Sequence, residues 1–192
     1  LFFTVSLVMM VAASASLLQA QKVDASLYQS MEWRMIGPFR AGRTVGAVGI
    51  PSQPNVFYIG LNNGGVWETT DAGRTWKPIF DDQPTGSIGD IALAPSNPNV
   101  IYVGSGEGLQ RPDLATGDGM YRSRDGGKTW AHLGLRDGQQ IASIAVDPKD
   151  ENHLFVAVLG HPYGPNEERG IYRSTNGGDT FDRVLYKDDN TG

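Results

Sequence analysis

Glu107, Glu167 and Glu168 are the residues of this chain best suited to acid–base work, and they lie in two long segments rich in glycine and proline, Ser105 to Asp118 and Gly160 to Arg169. Two carboxylates facing each other across a bond can divide hydrolysis between them. One protonates the leaving group while the other activates water. The same segments, with the stretch from Arg40 to Arg43, carry guanidinium groups whose planar forks suit anionic oxygens. Arg40, Arg43, Glu107, Arg111, His161, Glu167 and Arg169 therefore form the candidate ligand-binding set. The mixture fits a carboxylate, a sugar or a peptide, and the alternative is that these groups pair with one another and order their own loops. Metal and thiol chemistry are not expected. His132, His153 and His161 fall in separate contexts without ligand spacing, and Asp113 with Asp118 is the nearest approach to a pair of oxygen ligands. The chain has no cysteine, hence no thiol nucleophile and no disulfide framework, and no cofactor is expected.

What must position these segments is a unit written three times. Thr70-Asp71-Ala72-Gly73-Arg74-Thr75-Trp76 recurs as Arg124-Asp125-Gly126-Gly127-Lys128-Thr129-Trp130 and as Thr175-Asn176-Gly177-Gly178-Asp179-Thr180-Phe181, and the intervals between Asp71, Asp125 and Asn176 are 54 and 51 residues. Self-similarity at a near-constant period marks one supersecondary unit copied along the chain. Strand-like runs flank each copy, which makes the phrase a hairpin corner. Asp or Asn accepts hydrogen bonds from N–H groups further along the turn, Gly supplies positive φ, and Thr returns the backbone to the β region. The closing aromatic is expected to fold back over the corner and bury apolar area.

Two further strand patterns precede each corner: Thr44 to Ile50 with Val56 to Leu61, Ser87 to Ala94 with Asn99 to Gly104, and Gln140 to Val146 with His153 to Leu159. Proline-containing linkers join the members of each pair, because proline cannot donate to a ladder. Four antiparallel strands per unit make one blade, so the predicted fold class is all-β, a β-propeller. Three blades are expected at about 43–80, 87–135 and 140–186, an incomplete ring, since propellers have about four to eight blades. Glu32-Trp33-Arg34-Met35-Ile36 has the pattern of an outermost strand without inner strands before it, which assigns it to closing the last blade. In such blades the corners lie on one face. The long loops between second and third strands, and the crossings between blades, lie on the other, where binding residues concentrate.

Ser123 to Trp130 resembles the Asp-box, or bacterial neuraminidase repeat, of β-propellers; the first copy has Thr69 at the Ser position, and the third has Asn176 and Phe181. The resemblance implies structural roles for Asp71, Gly73, Trp76, Asp125, Gly127, Trp130, Asn176, Gly178 and Phe181. Ile36-Gly37-Pro38-Phe39-Arg40, Gly64-Gly65-Val66-Trp67, Gly104-Ser105-Gly106-Glu107 and Gly164-Pro165-Asn166-Glu167-Glu168-Arg169-Gly170 resemble the opening of secreted bacterial sortilin-like or glycosyl-hydrolase-like repeat proteins. That resemblance implies recognition of an extracellular peptide or glycan by the long-loop face. Its alternative is a sialidase-like or xyloglucanase-like glycoside hydrolase with some catalytic residues outside this stretch. Xyloglucanase-like enzymes place an Asp just before the Gly-Gly that opens the third strand of the first blade. Here that stretch reads Leu61-Asn62-Asn63-Gly64-Gly65, and Asn cannot serve as a carboxylate base.

Composition sets the surroundings. A net charge of −5 without a basic stripe argues against nucleic acid as a partner. Residues 1–20 are apolar, end in small residues and read as a secretory signal lacking its basic start, followed by a linker at 21–31 and the propeller at 32–192. The expected location is secreted or periplasmic. The expected partners are an extracellular peptide, protein or glycan, and the remaining blades of the same polypeptide.

Overall fold

The computed structural model describes residues 24–28, 30–31, 43–108 and 114–191. It divides into two units, Leu1–Phe39 and Arg40–Gly192. In the first, Ala25–Tyr28 form one 3-10 turn, opened by Asp24, whose Oδ1 accepts the Ser26 N–H at 2.9 Å. The signal segment and the closing strand at Glu32 to Ile36 lie outside the described residues, as do Arg40 and Arg111. No helix among the described residues is long and apolar enough to cross a membrane.

The second unit is a row of four-stranded antiparallel sheets. The first runs β1 (Thr44–Ile50), β2 (Gln53–Leu61), β3 (Gly65–Thr69) and β4 (Lys77–Pro78) in that spatial order. The second is β5 (Ile88–Ala94), β6 (Asn97–Ser105), β7 (Met120–Ser123) and β8 (Ala131–Gly134). The third is β9 (Ile141–Val146), β10 (Leu154–Val158), β11 (Gly170–Ser174) and β12 (Asp182–Leu185). These are three propeller blades. β2 and β6 begin earlier than the proline-bounded reading expects, because Ile50 pairs with Gln53 and Ala94 with Asn97 across two-residue turns. The ladder shifts register just there, which admits Pro54 and Pro98 without a wasted donor.

The apolar cores lie between blades. Ile50, Tyr58, Val66, Phe80, Ile88, Ile101 and Tyr121 fill the first joint, and Tyr102, Met120, Ile141, Leu154, Val156 and Tyr172 fill the second. Glycine makes the close approach possible. A Cβ on Gly60 of β2 would stand 2.6 Å from Ile88 Cγ2, and one on Gly104 of β6 would stand 2.4 Å from Ile141 Cγ2. Each inner strand carries a register shift at the same place, between Thr44 and Gly46, between Ile88 and Asp90, and opposite Ala157 and Val158. At the second joint Asp90 bridges the blades: its Oδ2 accepts the Ile144 N–H at 2.7 Å, and its Oδ1 accepts the Ile91 N–H at 2.8 Å.

The corners between third and fourth strands repeat one bonding pattern. Asp71 Oδ1 accepts the N–H groups of Arg74 and Thr75 at 2.9 Å each, and its Oδ2 accepts the Thr75 hydroxyl at 2.7 Å. Asp125 does the same for Lys128 at 3.0 Å and for Thr129, at 2.9 Å from its N–H and 2.7 Å from its hydroxyl. The Thr hydroxyl bond leads in pulling both carboxyls down to about 2, with the backbone bonds behind it. In the third corner Asn176 keeps the backbone bond, accepting the Thr180 N–H at 3.0 Å, and its amide donates to the Thr180 hydroxyl at 2.9 Å. Gly73, Gly127 and Gly178 have φ between 86° and 90°, which leaves these places to glycine. Gly127 and Gly178 also rest on the outer strand of the preceding blade. A Cβ on either would meet Ile79 or Leu133 at 2.5 Å.

Candidate functional site

Arg43 and Glu107 are joined across the first joint. Arg43 precedes β1 with a side chain about half exposed, and its Nη2 stands 3.7 Å from Oε1 of Glu107, whose side chain is 0% exposed. The segment carrying Glu107 is tied down at both described ends. Gly106 N–H donates to Ser87 O at 2.8 Å, Ser87 Oγ donates to Ala115 O at 2.9 Å, and Gly117 N–H donates to Gln139 O of the third blade at 2.8 Å. Glu107 is thus an anchor beneath this loop, with a cation at its edge.

Asp118 organises the far end of the same loop. Tyr121 OH donates to both its oxygens, at 2.7 and 2.8 Å, and Arg136 Nη1 reaches Oδ2 at 3.0 Å. Burial, and then the bond to this carboxylate, push the Tyr121 hydroxyl well above its ordinary range. His132 is bonded through both ring nitrogens, Nδ1 to the Gly134 N–H at 3.1 Å and Nε2 to Asp118 O at 2.7 Å. No cluster of three or more metal-ligating side chains occurs among the described residues.

The loop from Gly160 to Arg169 is built from its inside. Arg169 is 6% exposed, and its Nη2 donates to His161 O at 2.5 Å and to Gly164 O at 3.0 Å. Asn166, also buried, donates through Nδ2 to Asp137 O at 2.9 Å and Asp137 Oδ2 at 3.0 Å, and its N–H donates to Asp189 O at 2.9 Å. His161 Nε2 lies 3.4 Å from Asp137 Oδ1, an ion-pair distance without the alignment of a hydrogen bond. Glu168 Oε2 accepts the Gly138 N–H at 2.6 Å, and Glu167 is exposed, with its carbonyl accepting from Arg183 Nη1. On this framework Tyr163 presents its ring outward at 76% exposure.

The structure therefore pairs Arg43 with Glu107 and sets His161 against Asp137, while Arg169 is spent on the carbonyls of its own loop, Glu168 on the Gly138 N–H, and the Glu167 side chain stands exposed. Asn63 stands at φ 81° in the turn before β3, a conformation Asn tolerates, and Asn62 is buried with its N–H donating to Arg43 O at 2.9 Å. Gln140, fully buried immediately before β9, has neither side-chain amide atom bonded among the described residues. Gln140 and Asn166 lie outside the candidate set that residue types and spacing give. Asn166 had a usable signal, since a polar amide between Pro165 and two glutamates in a turn is well placed to bond backbone.

No family model matches the chain. It is similar to the oligoxyloglucan-reducing end-specific xyloglucanase of Emericella nidulans, 30% identical over 108 residues that make up 54% of this chain and 13% of that enzyme. Among solved structures, an ancestral GH74 enzyme superimposes with a TM-score of 0.65 at 25% identity, covering 83% of this chain and 20% of the other. YCF48 bound to a D1 peptide superimposes with a TM-score of 0.54 at 15% identity, over 79% of this chain and 44% of the other, a likeness of fold alone. The chain spans 13% of the length of the xyloglucanase, 20% of the GH74 enzyme and less than half of YCF48.

Proposed function

We propose that this chain recognises a glycan of the β-glucan class through its long-loop face, as part of an extracytoplasmic propeller. The observation that carries the reading is Tyr163, 76% exposed on a loop whose base is tied by Arg169 and Asn166. An outward aromatic ring suits the apolar face of a sugar, and the backbone that carries it is already tied on both sides. Arg43 and the exposed carboxylates Glu167 and Asp137 add hydrogen-bonding groups on the same kind of surface. The glycan class rests on the likeness to xyloglucanases. The repeated bonding at Asp71, Asp125 and Asn176 supports reading the corners as Asp-box repeats.

The test is calorimetric titration with xyloglucan oligosaccharides, cello-oligosaccharides and unrelated peptides, with product analysis of the same samples. Saturable binding of a glycan without product is the expected result, and binding of peptide alone or of nothing overturns it. Hydrolysis is the second reading, favoured by the enzymatic identity of the relatives. Against it, Glu107 is buried beside Arg43, Glu168 is bonded to a backbone N–H, and Asn62 and Asn63 shape a turn. Release of sugar products that is lost in Glu167→Gln would make the chain part of an enzyme.

A further inference from the structure

Two of the four non-glycine residues with positive φ among the described residues, Leu135 at 57° and Gln139 at 52°, stand in the short crossing from β8 to β9. Glycine and asparagine take this conformation readily, whereas leucine or glutamine keeps it only where the surroundings over-determine it. At Gln139 the backbone is tighter still. Gln140 N–H donates to Gly138 O at 2.5 Å and closes a three-residue turn about a positive φ, the rare and strained kind. What holds this turn comes from both long loops. On the side of the second blade, Gly117 N–H donates to Gln139 O at 2.8 Å, a Cβ on Gly106 would stand 1.7 Å from that same oxygen, and Arg136 Nη1 donates to Asp118 Oδ2 at 3.0 Å. On the side of the third blade, Gly138 N–H donates to Glu168 Oε2 at 2.6 Å, and Asn166 Nδ2 donates to Asp137 O and Oδ2 at 2.9 and 3.0 Å. Along Arg136-Asp137-Gly138-Gln139 the outer two residues therefore serve one loop and the inner two the other.

We propose that this turn couples the two long loops into one binding surface, with Gln139 as its positioning residue. Freeing the turn from either loop lets Gln139 return to negative φ. That rotation changes the orientation of the Gln139 carbonyl relative to the Gly138 N–H, so the two cannot both keep their partners, and the second loop is loosened by the release of the first. The strained turn is the two-state element that coupling of this kind requires. A ligand seated on one loop is then bound more tightly when the other loop is in place. This holds for any ligand of the loop face, and the inference is independent of the glycan reading.

Native-state hydrogen exchange tests the coupling. Glu168→Ala cuts the third-blade hold on Gly138, and the amide of Gly117, which belongs to the other loop, is expected to lose at least about fivefold in protection. In Gln139→Gly the positive φ carries no steric penalty and the turn has no reason to relax. Glu168→Ala added to Gln139→Gly should therefore leave Gly117 protected. The amide of Ile144, whose acceptor is Asp90, should hold in every variant. Should Glu168→Ala not fold, Asn166→Ala, which frees Asp137 from the same loop, carries the same expectation. Coupling is reciprocal, so the opposite direction is a second measurement. The chain has no cysteine, and Glu167→Cys accepts a single nitroxide label. Gly106→Ala presses on the Gln139 carbonyl from the second-blade side and should make that label more mobile. The proposal is overturned if Gly117 keeps its protection in the loop variant, if its loss persists unchanged with Gln139→Gly, if Ile144 loses protection in parallel, or if the label is indifferent to Gly106→Ala.

Discussion

Trp130 of the second blade donates its indole Nε1–H to the carbonyl of Ile79 in the first, at 2.7 Å. The same ring meets Phe80 edge-on, with centroids 5.0 Å apart, and lies over Gly127 of its own corner. The aromatic that closes the repeated phrase is thus both a lid on its turn and a latch between blades.

Replacing the latch in two steps separates these roles. Trp130→Phe keeps most of the ring and loses the donor, and should cost about 1 kcal/mol, the net worth of one hydrogen bond. Trp130→Ala also removes the packing on Phe80 and Ile79 and should cost about 3 kcal/mol or more. Urea denaturation of the two variants checks the order. Equal losses would mean that the ring's area contributes nothing beyond its N–H.

Acid should open the first two corners and spare the third. Asp71 and Asp125 are held down at about 2, below their ordinary value of 3.8, by bonds that exist only in the folded chain. A lowered folded pKa stabilises above the unfolded value, and that contribution is lost as pH falls from about 4 through 2. Asn176 makes the corresponding backbone bond without a titrating group. Hydrogen-exchange protection of the Thr75 and Thr129 amides, corrected for intrinsic rates, should therefore fall between pH 4 and pH 2, while that of Thr180 should hold. Parallel loss at all three would show global unfolding instead.

The fold class was legible because hairpin corners repeat their chemistry in sequence: Gly73 donates to the Thr69 hydroxyl and Thr75 to the Asp71 carboxylate, all within seven residues. Local contacts of that kind leave a local signature. The candidate site was legible as to segment and opaque as to orientation. Nothing near Arg169 in sequence shows that it points inward to two carbonyls, nor that Tyr163, six residues before it, points out. The ion-pair partner of Glu107, Arg43, comes from a distant stretch and reaches it only when two blades pack. Likewise the joint glycines Gly60 and Gly104 read as small strand residues until their partners Ile88 and Ile141 are in place.

Asp90 should prove a structural carboxylate. Its two oxygens serve Ile91 of its own strand and Ile144 of the next blade, both backbone N–H groups of strands at the edge of their sheets. Asp90→Ala leaves both without this acceptor in a half-buried setting and should cost about 1–3 kcal/mol. Asp90→Asn, which retains one carbonyl oxygen, should recover part of the loss. Thermal melts of the two variants decide the matter, and a melt of Asp90→Ala indistinguishable from wild type would remove Asp90 from the joint.

Arg43 and Glu107 can be tested as a pair, since the guanidinium is about half exposed and the carboxylate is wholly enclosed. Arg43→Ala withdraws a cation from a buried anion, whereas Glu107→Gln removes the anion and lets Arg43 turn to water. The first change should therefore be the more destabilising, because an enclosed charge is costlier to leave undercompensated than an edge charge is to rehydrate. In the double variant the two costs should fall short of their sum by about 0.5–3 kcal/mol, the coupling expected of groups in contact. Additive losses would mean that Arg43 is not Glu107's partner in solution. Its guanidinium would then be available to a ligand on the loop face, and glycan affinity measured in Arg43→Ala would have to fall accordingly.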